Sequence, residues 1–162
     1  MSGASKNVER MARLRPAVIA RLYLGMIFCV AAGGKLIQPV DFTGPMSGFL
    51  SHVALRQGYV WYAPFVQNVV LPHARVFSIL ILVAESAIAL GMLFGLATRA
   101  AAVVAIFVLF NYASAKGAPF WSPGSNDSAD IVLCLVVLLG DGGRTWGIDA
   151  SLHKRFPRVP FW

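Results

Sequence analysis

The sequence predicts an all-α polytopic membrane protein, a four-transmembrane-helix bundle with short interfacial helices in its first outer loop. Its composition points that way, because 57% of the 162 residues are apolar and only 13% are charged, against about 45–50% and 25% in soluble domains. The apolar residues also form runs long enough to cross a bilayer, and basic residues gather at the ends of these runs. So few polar residues could not coat a soluble globule, which disfavours a cytosolic enzyme, a disordered tail and a disulfide scaffold.

Four apolar segments are predicted to cross the membrane as helices, because lipid offers their backbone polar groups no partners. They are residues 17–36, 76–96, 99–115 and 126–140. The second is the clearest, with 21 residues and a single charge, Glu85. The fourth apolar run, Ala129–Gly140, has only 12 residues, so we expect its helix to begin near Asn126, a good N-cap. Asp127 and Asp130 would then complement the positive end of that helix.

The first apolar run could instead be a cleaved signal peptide, since a basic region precedes it. Its length and the lack of a small-residue cleavage site favour a retained span. We therefore treat residues 1–162 as a single integral membrane domain, with the lipid bilayer as its first partner.

Basic residues predict the orientation of the chain. Nine of them fall on one side, namely Lys6, Arg10, Arg13, Arg15, Arg99, Arg144, Lys154, Arg155 and Arg158. Three fall in the loops of the other side, namely Arg56, Arg75 and Lys116. By the positive-inside tendency both termini are cytoplasmic, in a multi-pass protein of the inner, cytoplasmic membrane. This placement accounts for the net charge of +7 without nucleic acid as a partner.

The outer segment, residues 37–75, is too long for a bare connection. Its apolar residues recur at helical spacing in two stripes, one from Met46 to Ala54 and one from Trp61 to Val70. Its aromatic residues are of the types that settle at the lipid–water boundary. We expect two short helices that lie on the outer interface as a cover over the bundle, either for packing alone or as a lid on a site.

Glu85 is the most informative residue, because it lies about 16 Å from the inner boundary, near mid-membrane. A carboxylate at that depth must be protonated or paired. Asn111 falls at nearly the same level on the third span, and the long side chain of Arg21 could extend towards Glu85. These three residues are the candidate catalytic cluster, as a proton-accepting or quinone-facing site. The alternative is a polar clasp that holds the helices in register.

Two basic residues near the outer boundary are candidates for attracting an anionic substrate. Lys35 ends the first span and Arg75 precedes the second. For Lys35, extension of the amine to the lipid headgroups is the competing explanation. No ligand set for a metal ion and no nucleotide-binding motif is evident in the sequence.

Several stretches together resemble the DoxX family. They are Arg21-Leu-Tyr-Leu-Gly-Met-Ile-Phe with Gly34-Lys35, Glu85-Ser-Ala-Ile-Ala-Leu-Gly, and Phe94-Gly-Leu-Ala-Thr-Arg. Asn111-Tyr112, Lys116-Gly117, Asn126-Asp127 and the stretch from Gly143 to Asp149 resemble its DoxD branch, the small membrane subunit of thiosulfate:quinone oxidoreductase. The resemblance implies a four-helix membrane bundle that associates with a partner in electron transfer or sulfur metabolism.

Two functions follow from these observations. The first is a membrane subunit of a quinone-linked oxidoreductase, with quinone as a non-covalent cofactor and thiosulfate as a candidate substrate. The second is a non-catalytic accessory subunit of a larger respiratory or photosynthetic membrane complex. No haem, iron–sulfur or flavin motif is visible, so in both cases we expect a partner subunit to carry the redox centre.

Overall fold

Helices form all the regular secondary structure in the described part of the chain. The computed structural model describes residues 3–37, 41–119, 122, 125–140 and 142–156. The elements are α1 (Gly3–Ile37), α2 (Thr43–Phe49), the π-helical segment π1 (Leu50–Ala54), α3 (Leu55–Gln57), α4 (Ala63–Phe65), the π-helical segment π2 (Val66–Val70), α5 (Ala74–Phe94), α6 (Thr98–Lys116), α7 (Asp127–Leu139), α8 (Gly142–Thr145) and α9 (Ile148–Arg155). The all-α prediction is confirmed. Residues 38–40 of the predicted outer segment and Arg158 near the C-terminus lie outside the described residues.

Four helices pack side by side in a closed ring, in the order α1, α5, α6, α7 and back to α1. Their facing sides bury an apolar core that includes Leu24, Phe28, Ile88, Met92 and Val137. Large apolar side chains on the outer faces of the ring remain exposed, among them Val30, Val83 and Phe107. An apolar outer face of this kind is suited to lipid rather than to water.

Three of these helices are long and apolar enough to cross a membrane. They are the part of α1 from Pro16 to Ile37, with 22 residues, α5 with 21 and α6 with 19. The predicted fourth span is a helix in the expected place, but α7 has only 13 residues and rises about 20 Å. Asn126 occupies its N-cap position as predicted, although its side chain makes no capping hydrogen bond.

The turn between α5 and α6 comprises residues 95–97, one residue more than the predicted spans implied. Gly95 adopts a left-handed conformation (φ 64°) and ends α5, so this helix stops at Phe94 rather than near residue 96. Ala97 is also left-handed (φ 48°), which is costly for a residue with a Cβ. The Asp149 carboxylate offsets that cost by accepting hydrogen bonds from the backbone N–H groups of Ala97 (2.7 Å) and Thr98 (2.8 Å).

The cap, which we define as residues 42–71, covers one end of the ring, and we call that end the capped end. Its two helical stretches lie where the two apolar stripes predicted them, and π2 stops just before Pro72. The cap buries its own apolar cluster, which includes Met46, Leu50, Val66 and Ala115 of α6. The two helical stretches of the predicted cover are therefore present, and the first of them packs against α5 and α6. At the opposite end, α8 packs against α1 and α9.

Candidate functional site

Glu85 lies at the centre of a polar site between three helices. The carboxylate on α5 accepts hydrogen bonds from Nζ of Lys35 on α1, at 2.7 Å to Oε1 and 2.6 Å to Oε2. The Tyr112 hydroxyl on α6 donates a further hydrogen bond to Oε1 (2.6 Å). Each of three neighbouring helices thus supplies one member of a single cluster, which we call the Glu85 site.

Burial explains why Glu85 needs both partners. Its side chain is only 1% exposed, and an isolated carboxylate removed from water is strongly destabilised. A cation that contacts both oxygens and a hydroxyl that contacts one of them replace the lost hydration. Lys35 therefore turns inward to Glu85, and the predicted extension of Lys35 to the lipid headgroups is wrong.

The site can be approached from the side of Lys35. The Lys35 side chain is 16% exposed, in contrast to the buried Glu85. The ring of Phe42, the first residue of the cap, lies 5.1 Å from Nζ of Lys35 and supplies a cation–π contact. Phe42 thus lies beside Lys35, the partly exposed cation of the cluster.

The predicted cluster of Glu85, Asn111 and Arg21 does not form. Asn111 accepts a hydrogen bond from the Tyr62 hydroxyl of the cap (2.9 Å) and donates one to the Phe107 carbonyl (2.8 Å). A helix turns about 100° per residue, so the neighbouring residue, Tyr112, faces Glu85 instead. Asn111 joins the cap to α6, and Tyr112 is the partner that sequence reasoning missed.

Arg21 lies at the opposite end of the ring from the cap. It precedes Lys35 by 14 residues on the same helix, a rise of about 21 Å, so its side chain cannot reach Glu85. Its Nη2 donates to the Trp146 carbonyl (2.7 Å), and Asp149 acts on it electrostatically. Among the described residues, its Nε and Nη1 have no hydrogen-bond partner. Arg21 and Asp149 thus anchor the C-terminal helices to the α5–α6 turn.

The two predicted substrate-binding residues, Lys35 and Arg75, each lie near a carboxylate of the protein itself. Arg75 is exposed at the start of α5 and acts electrostatically on Asp41. The pKa of Asp41 is lowered, first by the backbone N–H of Thr43, then by its hydroxyl, with a smaller effect of Arg75. Lys35 is paired with Glu85, and its attraction of an anionic substrate together with Arg75 stays a prediction.

A third polar group joins α6 and α7 at the capped end. Nζ of Lys116 contacts both carboxylate oxygens of Asp127, at 3.0 and 2.8 Å, and the Ser125 hydroxyl donates to Asp127 (2.8 Å). Asp130 lies one turn further along α7 and is also buried. None of the described His, Cys, Asp and Glu residues form a group of three that could hold a metal ion.

Comparison with known protein families matches residues 17–115 to the DoxX family. The match covers more than half of the chain. The chain belongs to the DoxX family. All three members of the Glu85 site fall within the matched DoxX region, whereas Asp127, Asp130 and Asp149 lie beyond it. Neither curated proteins nor solved structures give a significant match.

The Glu85 site of this DoxX protein is equipped to exchange protons. It combines a carboxylate with two proton-bearing partners, the ammonium of Lys35 and the phenol of Tyr112. Movement of a proton onto Glu85 would release Lys35 and Tyr112 to donate hydrogen bonds to another acceptor. A carbonyl oxygen that gains negative charge is an acceptor of the kind that such donors stabilise.

Proposed function

We propose that this DoxX-family protein is the membrane subunit of a quinone-linked redox complex, and that the Glu85 site contacts the quinone headgroup. Thiosulfate is the proposed reductant, and it is oxidised at a partner subunit that passes electrons to the quinone. Reduction of a quinone to a quinol consumes two electrons and two protons. The observation that carries the proposal is the buried contact of Glu85 with Lys35 and Tyr112.

The chemistry of the site fits a quinone substrate. Quinone carbonyl oxygens accept hydrogen bonds, and Lys35 and Tyr112 are both donors. Phe42 supplies an aromatic face beside Lys35, against which a planar ring can stack. Once a proton has moved onto it, Glu85 can pass that proton to a reduced oxygen, and it must take up another for the second oxygen. Intramembrane ionisable groups of this kind are functional candidates by default.

The proposed topology places the cap on the outer side of the cytoplasmic membrane and both termini in the cytoplasm. The nine-to-three distribution of basic residues in the sequence supports this orientation. We propose α7 as the fourth crossing, because it completes the ring with α1 and α6. Local thinning of the bilayer and the flanking polar residues would accommodate its short length.

The test is thiosulfate-dependent reduction of decylubiquinone by the complex purified in mild detergent with its native partners. We expect Glu85→Gln to reduce turnover by about 100-fold, the usual contribution of a positioned acid or base. Asp41→Asn makes the same chemical change at an exposed residue and should leave turnover unchanged. Equal turnover in Glu85→Gln and the parent protein would contradict the proposal.

A second candidate function is a non-catalytic accessory subunit of a larger membrane complex. The complete pairing of Glu85 within its own chain favours it, because a satisfied buried cluster can serve to hold three helices in register. Copurification with a cytochrome or pigment complex, without quinone reductase activity, would support this role over the first.

A further inference from the structure

A line of ionisable side chains extends from the surface of the capped end to Glu85. Lys116, whose side chain is 40% exposed, pairs with Asp127, whose side chain is 10% exposed. Asp127 acts electrostatically on Tyr112, and the Tyr112 hydroxyl donates to Glu85. The line therefore starts at an accessible ammonium and ends at a buried carboxylate.

Helical spacing keeps these groups on facing sides of α6 and α7. Tyr112 and Lys116 are four residues apart on α6, and Asp127 and Asp130 are three apart on α7, so each pair shares a helix face. The two helices pack directly against each other in the ring. We call residues 112, 116, 127 and 130 the polar seam. The polar seam thus lies within the interface of α6 and α7.

Asp130 is the unusual member of the polar seam. It is 5% exposed, and its Oδ1 is buried without a hydrogen-bond partner in the described part of the chain. Both Asp127 and Lys116 act on it electrostatically, and Cys134 follows one turn further in. Asp127 is already paired with Lys116 through both of its oxygens, so Asp130 is the carboxyl group of the two that has a buried oxygen without a partner among the described residues. Burial disfavours the charged form of such a group and favours its holding a proton.

We propose that the Asp127–Asp130 pair takes up protons at the capped end and passes them through the Tyr112 hydroxyl to Glu85. In each transfer Tyr112 gives its hydroxyl proton to Glu85 and receives another from the carboxyl pair, so its own protonation is restored. The inference deepens the proposed function, because quinone reduction at Glu85 consumes protons that must be replaced. Its test needs no quinone, so the inference and the proposed function can fail separately.

The experiment uses the full chain in detergent with a caged proton, which a laser flash releases at each of a series of starting pH values. Time-resolved infrared spectroscopy follows the carboxyl band of Glu85, which Glu85→Gln identifies by its loss. We expect Asp130→Asn and Tyr112→Phe to slow protonation of Glu85 by on the order of tenfold or more. Asp130→Glu should keep the rate close to that of the parent protein.

Asp41→Asn is the matched control, because it removes an exposed carboxylate outside the polar seam and should leave the rate unchanged. If Asp130→Asn does not fold, Asp127→Asn interrupts the same pair and should slow protonation equally. An unchanged rate in the folded variant of the pair would overturn the inference. A Glu85 band that does not respond to pH would overturn it too, because no proton then reaches the site. Loss of quinone reductase activity without a change in these rates bears on the proposed function alone.

Discussion

At the scale of single residues, the chemistry of this DoxX protein depends on how Glu85 is compensated. Three helices meet at its carboxylate, and Lys35 and Tyr112 each provide a hydrogen bond to it. A buried ion pair loses most when one partner is removed, because the other then remains as an uncompensated charge. The pair is therefore a sensitive point for stability as well as for function.

We predict that Lys35→Met destabilises the protein by on the order of 3 kcal/mol. Removal of the ammonium leaves the Glu85 carboxylate with a single hydrogen-bond donor, Tyr112. The double variant Lys35→Met/Glu85→Gln should recover most of the loss, since it contains no unpaired buried charge. Thermal unfolding in detergent, followed by circular dichroism, measures both. Equal destabilisation in the single and double variants would show that Lys35 acts by packing alone.

Gly95 is a second residue with a defined structural requirement. Its φ of 64° is left-handed, and a Cβ there would overlap the guanidinium of Arg21. We predict that Gly95→Ala costs more than the roughly 1–2 kcal/mol typical of a left-handed alanine. Gly33→Ala is the control, because a Cβ at Gly33 meets no atom within 4 Å. The denaturation midpoint of Gly95→Ala should therefore fall well below that of the parent protein, whereas that of Gly33→Ala should not fall.

At the scale of secondary-structure elements, α6 is held at both of its ends by distant parts of the chain. Asp149, the second residue of α9, caps the N-terminus of α6 at the α5–α6 turn. Near its C-terminus, the Ser114 carbonyl accepts a hydrogen bond from the backbone N–H of Tyr59 in the cap (3.1 Å). The position of α6 determines where Tyr112 meets Glu85, so these two attachments also support the site.

We predict that Asp149→Ala destabilises the protein by about 1–2 kcal/mol, the upper range for loss of a helix cap. Two backbone N–H groups lose their acceptor, and Arg21 loses a nearby negative charge. Hydrogen exchange should accelerate at the amides of Ala97 and Thr98 before the rest of α6 opens. Asp41→Ala, which removes an exposed carboxylate from the start of the cap, should leave these two amides unaffected.

The attachment of the cap to α6 should weaken at alkaline pH. Burial raises the pKa of Tyr62 above the ordinary value for a tyrosine, so in the folded protein its hydroxyl stays protonated at a pH where the unfolded chain has already lost the proton. The stabilisation is complete below about pH 10, the usual tyrosine pKa, and is lost as the pH rises through the folded value. A phenolate can no longer donate to Asn111.

We predict that the melting temperature of the parent protein falls more steeply above about pH 10 than that of Tyr62→Phe. The variant lacks both the ionisable group and the hydrogen bond to Asn111. At neutral pH it should be less stable by about 1 kcal/mol, the usual net value of a hydrogen bond. Parallel alkaline titrations that coincide for the two proteins would refute the role given to Tyr62.

At the scale of the whole molecule, four packed helices surround one apolar core, and polar clusters lie towards its two ends. Three of the four helices have the length and hydropathy of membrane spans, and α7 is shorter. Whether α7 crosses decides on which side α8 and α9 lie. The α7 crossing is therefore the main topological question for this DoxX protein.

We predict that a green fluorescent protein fused after Trp162 is fluorescent and that alkaline phosphatase fused there is inactive. Phosphatase inserted after Pro119, between α6 and α7, should be active. This pattern places the two ends of α7 on opposite sides of the membrane, with the C-terminus in the cytoplasm. The same reporter result at both positions would mean that α7 does not cross.

The pattern of hydropathy in the sequence was enough to determine the all-α class, the three long apolar helices, the place of the fourth helix and the two helical stretches of the cap. These features depend on local periodicity and on the length of apolar runs, which one segment carries by itself. The need of Glu85 for a partner also followed from the sequence. The choice of partner did not.

Only the tertiary structure decided which side chains meet. A rotation of about 100° per residue separates Asn111, which contacts the cap, from Tyr112, which contacts Glu85. Lys35 reaches Glu85 because α1 and α5 pack at that level, and Arg21 is left with Trp146 and Asp149 at the other end of the ring. Asp149 caps a helix whose first residue lies 51 positions earlier. Contacts of this kind depend on helix rotation and relative height, which no local pattern in the sequence encodes.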